Sequence, residues 1–263
     1  MARPASGLSF RRLPDLLRWP LDRPLFLVSV LLFLVSFVFL MMPQLDLVAS
    51  AIFYDPRAGF EEAAALFYVR RLGRLAEWTL AAAFAAPLVF KLFAPESRLF
   101  VRPRTSLFAL ASLALGPGLI VNGALKAFWG RARPREIIEF GGDAGFSPVW
   151  WISDQCDRNC SFVSGEAASA FWLVSLAFVA PKAWRPAVAI VTLAVATAVS
   201  FTRLAAGGHF VSDVLIAWLV TLLVMIVLQR IVLRGLPPAF DHRVEAALAR
   251  SGRALRAWLS PLR

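Results

Sequence analysis

Apolar residues gather along this chain in long unbroken blocks, unlike the alternating pattern of a half-buried strand or the one-sided stripe of a soluble helix. The two clearest blocks, Leu25 to Met42 and Ser106 to Leu125, contain no charged side chain. Four weaker blocks follow, at Trp78 to Phe93, Ala167 to Ala180, Ala187 to Phe201 and Val214 to Leu233. A helix needs about 20 apolar residues to cross a bilayer, or fewer where flanking side chains snorkel or the bilayer thins. The weaker blocks reach that length by borrowing residues at their ends. The pattern predicts an all-α, polytopic membrane protein, a bundle of six transmembrane helices with both termini on the same side. The first block follows basic residues as a signal peptide would. Its apolar core is too long for one and no small-residue cleavage site follows, so it reads as an uncleaved span.

Composition agrees, with 59% apolar and 17% charged residues in 263. It divides the chain into a basic N-terminal segment at 1–24, a six-span membrane domain at 25–233 and a basic tail at 234–263. Charge chooses the side. The face that carries the termini holds 18 of the 28 Lys and Arg and 5 of the 17 Asp and Glu. The positive-inside rule therefore predicts cytoplasmic termini. A net charge of +11 spread over span ends suits membrane lipids and excludes nucleic acid as the partner. In the tail, Val244, Leu248, Leu255 and Trp258 recur at helical spacing between arginines. Two readings stay open there, a helix on the anionic inner leaflet or a solvated tail. Trp19, Trp129, Trp150, Trp151 and Trp184 fall near span ends and read as interfacial anchors.

Repeats and low-complexity tracts are absent, and the longest connection, Ala127 to Ser161, lies on the outer face. It contains both cysteines, Cys156 and Cys160. Their spacing and exported setting favour a local disulfide. Zinc is the competing reading, but two Cys and two His without metal spacing argue against it, and no metal or other cofactor is expected. Three groups of ionisable or capping residues mark the outer ends of the later spans. They are Lys126 and Arg133, then Ser164, Gly165 and Glu166, then Arg203, His209 and Asp213. Singly, each has an ordinary structural reading as a snorkelling cation, a helix cap or a core histidine. Together they supply three cations, a helix N-terminus and a histidine four residues before an aspartate, which are parts for binding and attacking a phosphate.

The runs K-x6-R-P at Lys126 to Pro134, S-G at Ser164 and Gly165, and R-x5-H-x3-D at Arg203 to Asp213 resemble the three-part signature of the type 2 phosphatidic acid phosphatase and vanadium haloperoxidase superfamily. Their order on six spans is similar to its integral-membrane bacterial lipid phosphatases, and FYDPRAGF at 53–60 is similar more loosely. The resemblance implies a bacterial inner-membrane, multi-pass enzyme with its site facing the periplasm. It implies a nucleophilic His209 whose second ring nitrogen donates a hydrogen bond to Asp213. Lys126, Arg133, Arg203 and the N–H groups near Ser164 and Gly165 would bind the phosphate. No metal is needed, and a phosphohistidine forms and is cleaved by water. Two positions depart from the pattern. Thr202 replaces a usual Ser, and Glu166 replaces the general-acid His, so Glu166 is expected either to serve as the acid or to be dispensable for a good leaving group.

Implied substrates are lipid A phosphates, polyprenyl pyrophosphates, phosphatidic acid or phosphatidylglycerol phosphate, with the SFVSGE form and adjacent cysteines pointing toward lipid A. A lipid phosphotransferase and a non-catalytic lipid-phosphate binder are the alternatives. In LKAFWGRARPRE, Arg131 and Arg135 fall outside the signature and are expected to face headgroups.

Overall fold

The computed structural model describes residues 23–60 and 63–259. Trp19 and nearly all of the 1–24 segment lie outside them. In chain order the helices are α1 Pro24–Met41, α2 Gln44–Ala51, α3 Ala64–Phe93, α4 Pro103–Phe128, α5 Gly165–Val179, α6 Lys182–Ala205, α7 Val211–Gly235 and α8 Phe240–Leu259. Five of them, α1, α3, α4, α6 and α7, are long and apolar enough to cross a membrane, while α5 is apolar but shorter. Five of the six expected spans thus coincide with long apolar helices, and the block at Ala167 to Ala180 falls on the short α5. A two-stranded antiparallel hairpin, β1 Tyr54–Asp55 and β2 Gly59–Phe60, interrupts the helices.

Local sequence accounts for the boundaries. Pro24 opens α1 at a position that needs no N–H, and Pro43 follows its end. α3 begins at Ala64, well before the expected Trp78, because residues 64–77 are mostly Ala, Leu, Arg and Glu, all strong helix formers. Its 30 residues span about 45 Å, and the extension carries Arg70, Arg74 and Glu77 to the end of the bundle where Glu166 lies. α4 winds as a wider π-helix from Ala114 to Leu125 around Pro117, which has no N–H to donate. The Asn122 amide donates to the Pro117 carbonyl at 2.7 Å within that stretch.

α1 packs along α7, and α5 is wedged among α4, α6 and α7. The main core gathers Phe84, Phe108, Phe171, Trp172, Val199 and Met225 from α3 to α7. Trp172 is fully buried, and its indole N–H donates to Ala109 O at 2.9 Å and Ser112 Oγ at 3.0 Å, so no polar atom is stranded. Large apolar side chains such as Phe33, Ile190 and Val191 point outward, as they do on helices solvated by lipid.

The C-terminal stretch is helical over the predicted apolar positions, and it is tied to the bundle. Lys91 bonds Glu245 at 3.2 Å, Arg104 Nε donates to Asp241 at 2.7 Å, and Arg256 donates to Phe93 O. Trp129 and Trp150 are not simple interfacial anchors. They pack on Phe162 with ring centroids 5.6 and 4.9 Å away, against the cluster that holds Val149 and Val163. Trp151 and Trp184 are exposed.

Candidate active site

Backbone hydrogen bonds draw the three signature segments together on one face. Ser161 N donates to Arg131 O at 2.8 Å, Arg135 N to Gly207 O at 3.1 Å, and Ser164 N to Asp213 O at 3.3 Å. Gly207 turns the chain with φ +58, and its Cα lies so near the Phe60 ring that a Cβ would approach it to 2.5 Å. Phe60 in turn packs against Tyr54 in a tilted pair and against Phe140 edge to face. The small hairpin is thus the floor under the Arg203–His209 turn.

Lys126 stands in the last turn of α4, and its ammonium makes no hydrogen bond or ion pair among the described residues. It is close enough to Arg133, Glu166, Arg203, Asp213 and His209 for their charges to interact. Arg133 is buried, and both its Nε and Nη2 donate to the Asn159 carbonyl, at 3.2 and 2.5 Å. Cys156 and Cys160 are joined in a disulfide with Cα atoms 5.6 Å apart, and Asn159 sits within that closed loop. The staple therefore holds the carbonyl that holds Arg133.

Ser164 caps α5, its Oγ accepting from Ala167 N at 3.3 Å. The Ser164 N–H itself is occupied by Asp213 O, contrary to the expectation that it would hold a phosphate. The N–H groups of Gly165 and Glu166, in the first turn, have no intrahelical carbonyl to meet and are the donors that remain there. Gly165 is required by a close approach, because a Cβ would sit 2.2 Å from Asn122 Oδ1 on α4.

His209 is almost fully buried, and its Nδ1 lies 2.8 Å from Ser161 O. A carbonyl can only accept, so Nδ1 carries the proton and Nε2 keeps its lone pair. The expected hydrogen bond from Nδ1 to Asp213 is absent, since Asp213 Oδ2 stands 3.8 Å away. That oxygen accepts instead from Ser161 Oγ at 2.6 Å and Phe210 N at 2.9 Å, while Oδ1 accepts from Arg131 at 2.7 Å. Asp213 is a charge beside the imidazole, and the Ser161 carbonyl sets the tautomer.

Arg131 corrects the sequence reading most sharply. It is 0% exposed and faces no headgroup. Its guanidinium is shared between Asp213, Asp46 Oδ2 at 2.8 Å, Ser147 O at 2.8 Å and Ser212 Oγ at 3.0 Å, and it lies 4.2 Å from the Phe210 ring centroid. Arg135, in contrast, is exposed as expected. Glu166 is paired with two arginines. Its Oε2 and Oε1 accept from Arg70 Nε and Nη2, both at 2.7 Å, and Oε2 lies 3.3 Å from Arg203 Nε. Oxygens that accept from a guanidinium fork have no proton to give, so an acid role would require the pair to open.

Asp46, Arg70 and Arg131 were therefore missed. An isolated acid just after an apolar span, as Asp46 is, carries a detectable signal; Arg70 and Arg131 had none beyond their charge. Electrostatics follow the geometry. Burial pushes His209 down to about 4, against the opposing pull of Asp213, so the ring is neutral at pH 7. Burial raises the Asp46 carboxyl above its ordinary range, opposed by Arg131. Burial alone would lower Arg131, but Asp213 and Asp46 hold it above its ordinary value.

Residues 105–235, which contain all three signature segments, match the PAP2 superfamily. This segment belongs to the PAP2 superfamily. The chain is 46% identical over 116 residues to a lipid A 4'-phosphatase of Rhizobium leguminosarum, covering 44% of this chain and 50% of that one. It is 42% identical over 123 residues to one of Rhizobium etli, covering 47% and 48% of the two chains. For one of Francisella tularensis subsp. novicida the identity is 41% over 116 residues, covering 43% and 52%. The chain thus spans about half the length of the curated relatives it matches. No solved structure matches it. Asp46 and Arg70 lie outside the PAP2 segment.

Proposed function

We propose that this PAP2 protein is a metal-independent lipid phosphatase that removes a phosphate from lipid A or a similar lipid through a phosphohistidine. The observation that carries the reading is His209, neutral, its Nδ1–H fixed on Ser161 O, set among Lys126, Arg133 and Arg203. His209 Nε2 attacks phosphorus, the N–P bond forms as the P–O bond to the lipid breaks, and the lipid oxygen takes a proton from water. A second water then attacks phosphorus, the N–P bond breaks, and inorganic phosphate leaves. The three cations and the N–H groups of Gly165 and Glu166 offset the charge that this transfer spreads over the phosphoryl oxygens. Glu166 holds Arg203 in place together with Arg70.

The names of the three relatives favour lipid A as the substrate. The bundle sits in the bacterial inner membrane with six spans, counting the short α5, and its termini in the cytoplasm. The charge bias and the Cys156–Cys160 disulfide beside the site support a periplasmic mouth. Purified full-length protein in detergent, offered lipid A, a polyprenyl pyrophosphate and phosphatidic acid, tests the proposal by phosphate release. Release from lipid A that disappears in His209→Ala is the expected result. Equal release from both proteins overturns it.

A further inference from the structure

We propose that Arg131 and Asp46 are positioning residues of this reaction: Arg131 fixes the Asp213 carboxylate beside the imidazole, and Asp46 offsets the guanidinium charge so that the field at His209 stays negative. The proposal rests on the function above and extends it to residues outside the signature, one of them outside the PAP2 segment.

When Nε2 bonds to phosphorus, the ring keeps its Nδ1 proton and becomes positively charged. The Ser161 carbonyl orients that proton but carries no net charge, so stabilisation must come from Asp213. Arg131 grips Asp213 Oδ1 at 2.7 Å, which leaves Oδ2 turned toward the ring, 3.8 Å from Nδ1. The grip has an electrostatic cost. An Arg131–Asp213 pair is neutral as a whole and has little field to offer, in an interior where fields are poorly screened.

Asp46 resolves this. It reaches Arg131 Nη2 at 2.8 Å, accepts from Ser212 N at 3.0 Å through Oδ1, and from Ser212 Oγ at 2.5 Å through Oδ2. Three donors on two oxygens, beside a fully buried guanidinium and at the N-terminus of α7, are the surroundings of a carboxylate. Two carboxylates against one guanidinium leave a net negative charge behind the imidazole. Asp46 comes from α2, so the first helices supply part of the reaction's electrostatics in addition to packing against α7.

The test uses full-length Asp46→Asn, Asp46→Glu, Arg131→Lys and His209→Ala proteins in detergent. Three quantities are read: kcat and KM for phosphate release from lipid A, inhibition by inorganic phosphate, and the pH titration of 13C-labelled His209. Asp46→Asn and Arg131→Lys are expected to lower kcat roughly 10- to 100-fold, while KM and phosphate inhibition stay within about threefold because Lys126, Arg133 and Arg203 are untouched. Asp46→Glu, which keeps the charge, recovers about tenfold over Asp46→Asn.

His209 is faced by Asp213 on α7, Lys126 on α4, Arg203 on α6 and the Ser161 carbonyl from the loop. Removing the Asp46 charge leaves the cations less opposed, so the His209 titration moves to lower pH. A purely structural triad would lower kcat and thermal stability in step and leave that titration in place. Folded Asp46→Asn with wild-type kcat, or with reduced kcat and an unmoved titration, overturns the proposal. If Asp46→Asn does not fold, Arg131→Lys with wild-type kcat overturns it. His209→Ala as active as wild type instead overturns the functional reading itself, so the two failures are distinguishable.

Discussion

Glu166 offers a direct contrast between two chemistries. Both its oxygens accept from Arg70 at 2.7 Å, and Oε2 lies 3.3 Å from Arg203 Nε, with the Arg70 and Glu166 side chains 22% and 25% exposed. A charge-assisted hydrogen bond contributes about 1.5–3 kcal/mol when sheltered, and partial solvent contact brings the fork as a whole to about 2 kcal/mol. If that free energy serves to hold Arg203 against the transferring phosphoryl group, Glu166→Ala lowers kcat/KM about 30-fold. Glu166→Gln keeps the shape and one acceptor and loses about half the free energy, or about fivefold. Because positioning does not depend on the leaving group, the losses are the same on an alkyl monophosphate and on a lipid pyrophosphate. A general acid behaves differently. Its removal costs about 100- to 10,000-fold where an alkoxide departs and far less where a phosphate does. Steady-state phosphate release from both substrates by wild type and the two variants decides the matter. A loss confined to the monophosphate, and equally large for Gln and Ala, refutes the positioning role and makes Glu166 the acid.

Three further outcomes follow from the geometry. Burial lowers His209 to about 4, so its folded value lies below the unfolded one and its stabilising contribution is present above about pH 6.5 and lost as pH falls toward 4. A 13C-imidazole spectrum, which has only two histidines to resolve, should show His209 neutral at pH 5, and a midpoint near 6.5 would contradict the burial argument. Breaking the Cys156–Cys160 staple, by reductant or by Ser at both positions, frees a short loop worth about 2 kcal/mol and loosens the Asn159 carbonyl on Arg133, so kcat/KM falls several-fold; an unchanged kcat/KM would mean that Arg133 holds its place unaided. Gly207→Ala forces a Cβ against the Phe60 ring at positive φ and should cost about 1–3 kcal/mol, read as a lower unfolding temperature in detergent; full stability would show that the hairpin gives way freely.

The helices and the site differ in how far the sequence revealed them, and the reasons are physical. Uninterrupted apolar blocks identify lipid-solvated helices because the bilayer leaves the backbone few other choices. The same reasoning truncated α3 at Trp78, because a helix that ends in arginines and a glutamate looks like a connection until their partners are known. Lys126, Arg133, Arg203, His209 and Asp213 stand at the ends of apolar blocks in the order of a known family's signature, and that order with its spacing is what the sequence offers for grouping them. What spacing could not supply was which acceptor wins. Ser161, 48 residues from His209, takes the Nδ1 proton that the i,i+4 relation suggested for Asp213. Arg131 looks like a surface cation in the sequence because its two carboxylate partners are 82 and 85 residues away. Asp46 and Arg70 stand on helices whose approach to the site depends on packing of the whole bundle, which no local pattern encodes.

The proposed reaction stands on a covalent bond between His209 and phosphorus. Full-length protein mixed with lipid A labelled with 32P at its phosphates, quenched in alkali within a single turnover and separated from lipid, tests it most directly. Label on the wild-type chain that chases into inorganic phosphate, and no label on His209→Ala, is the predicted result. Wild-type turnover with no labelled chain at any quench time, or label that persists in His209→Ala, would contradict it.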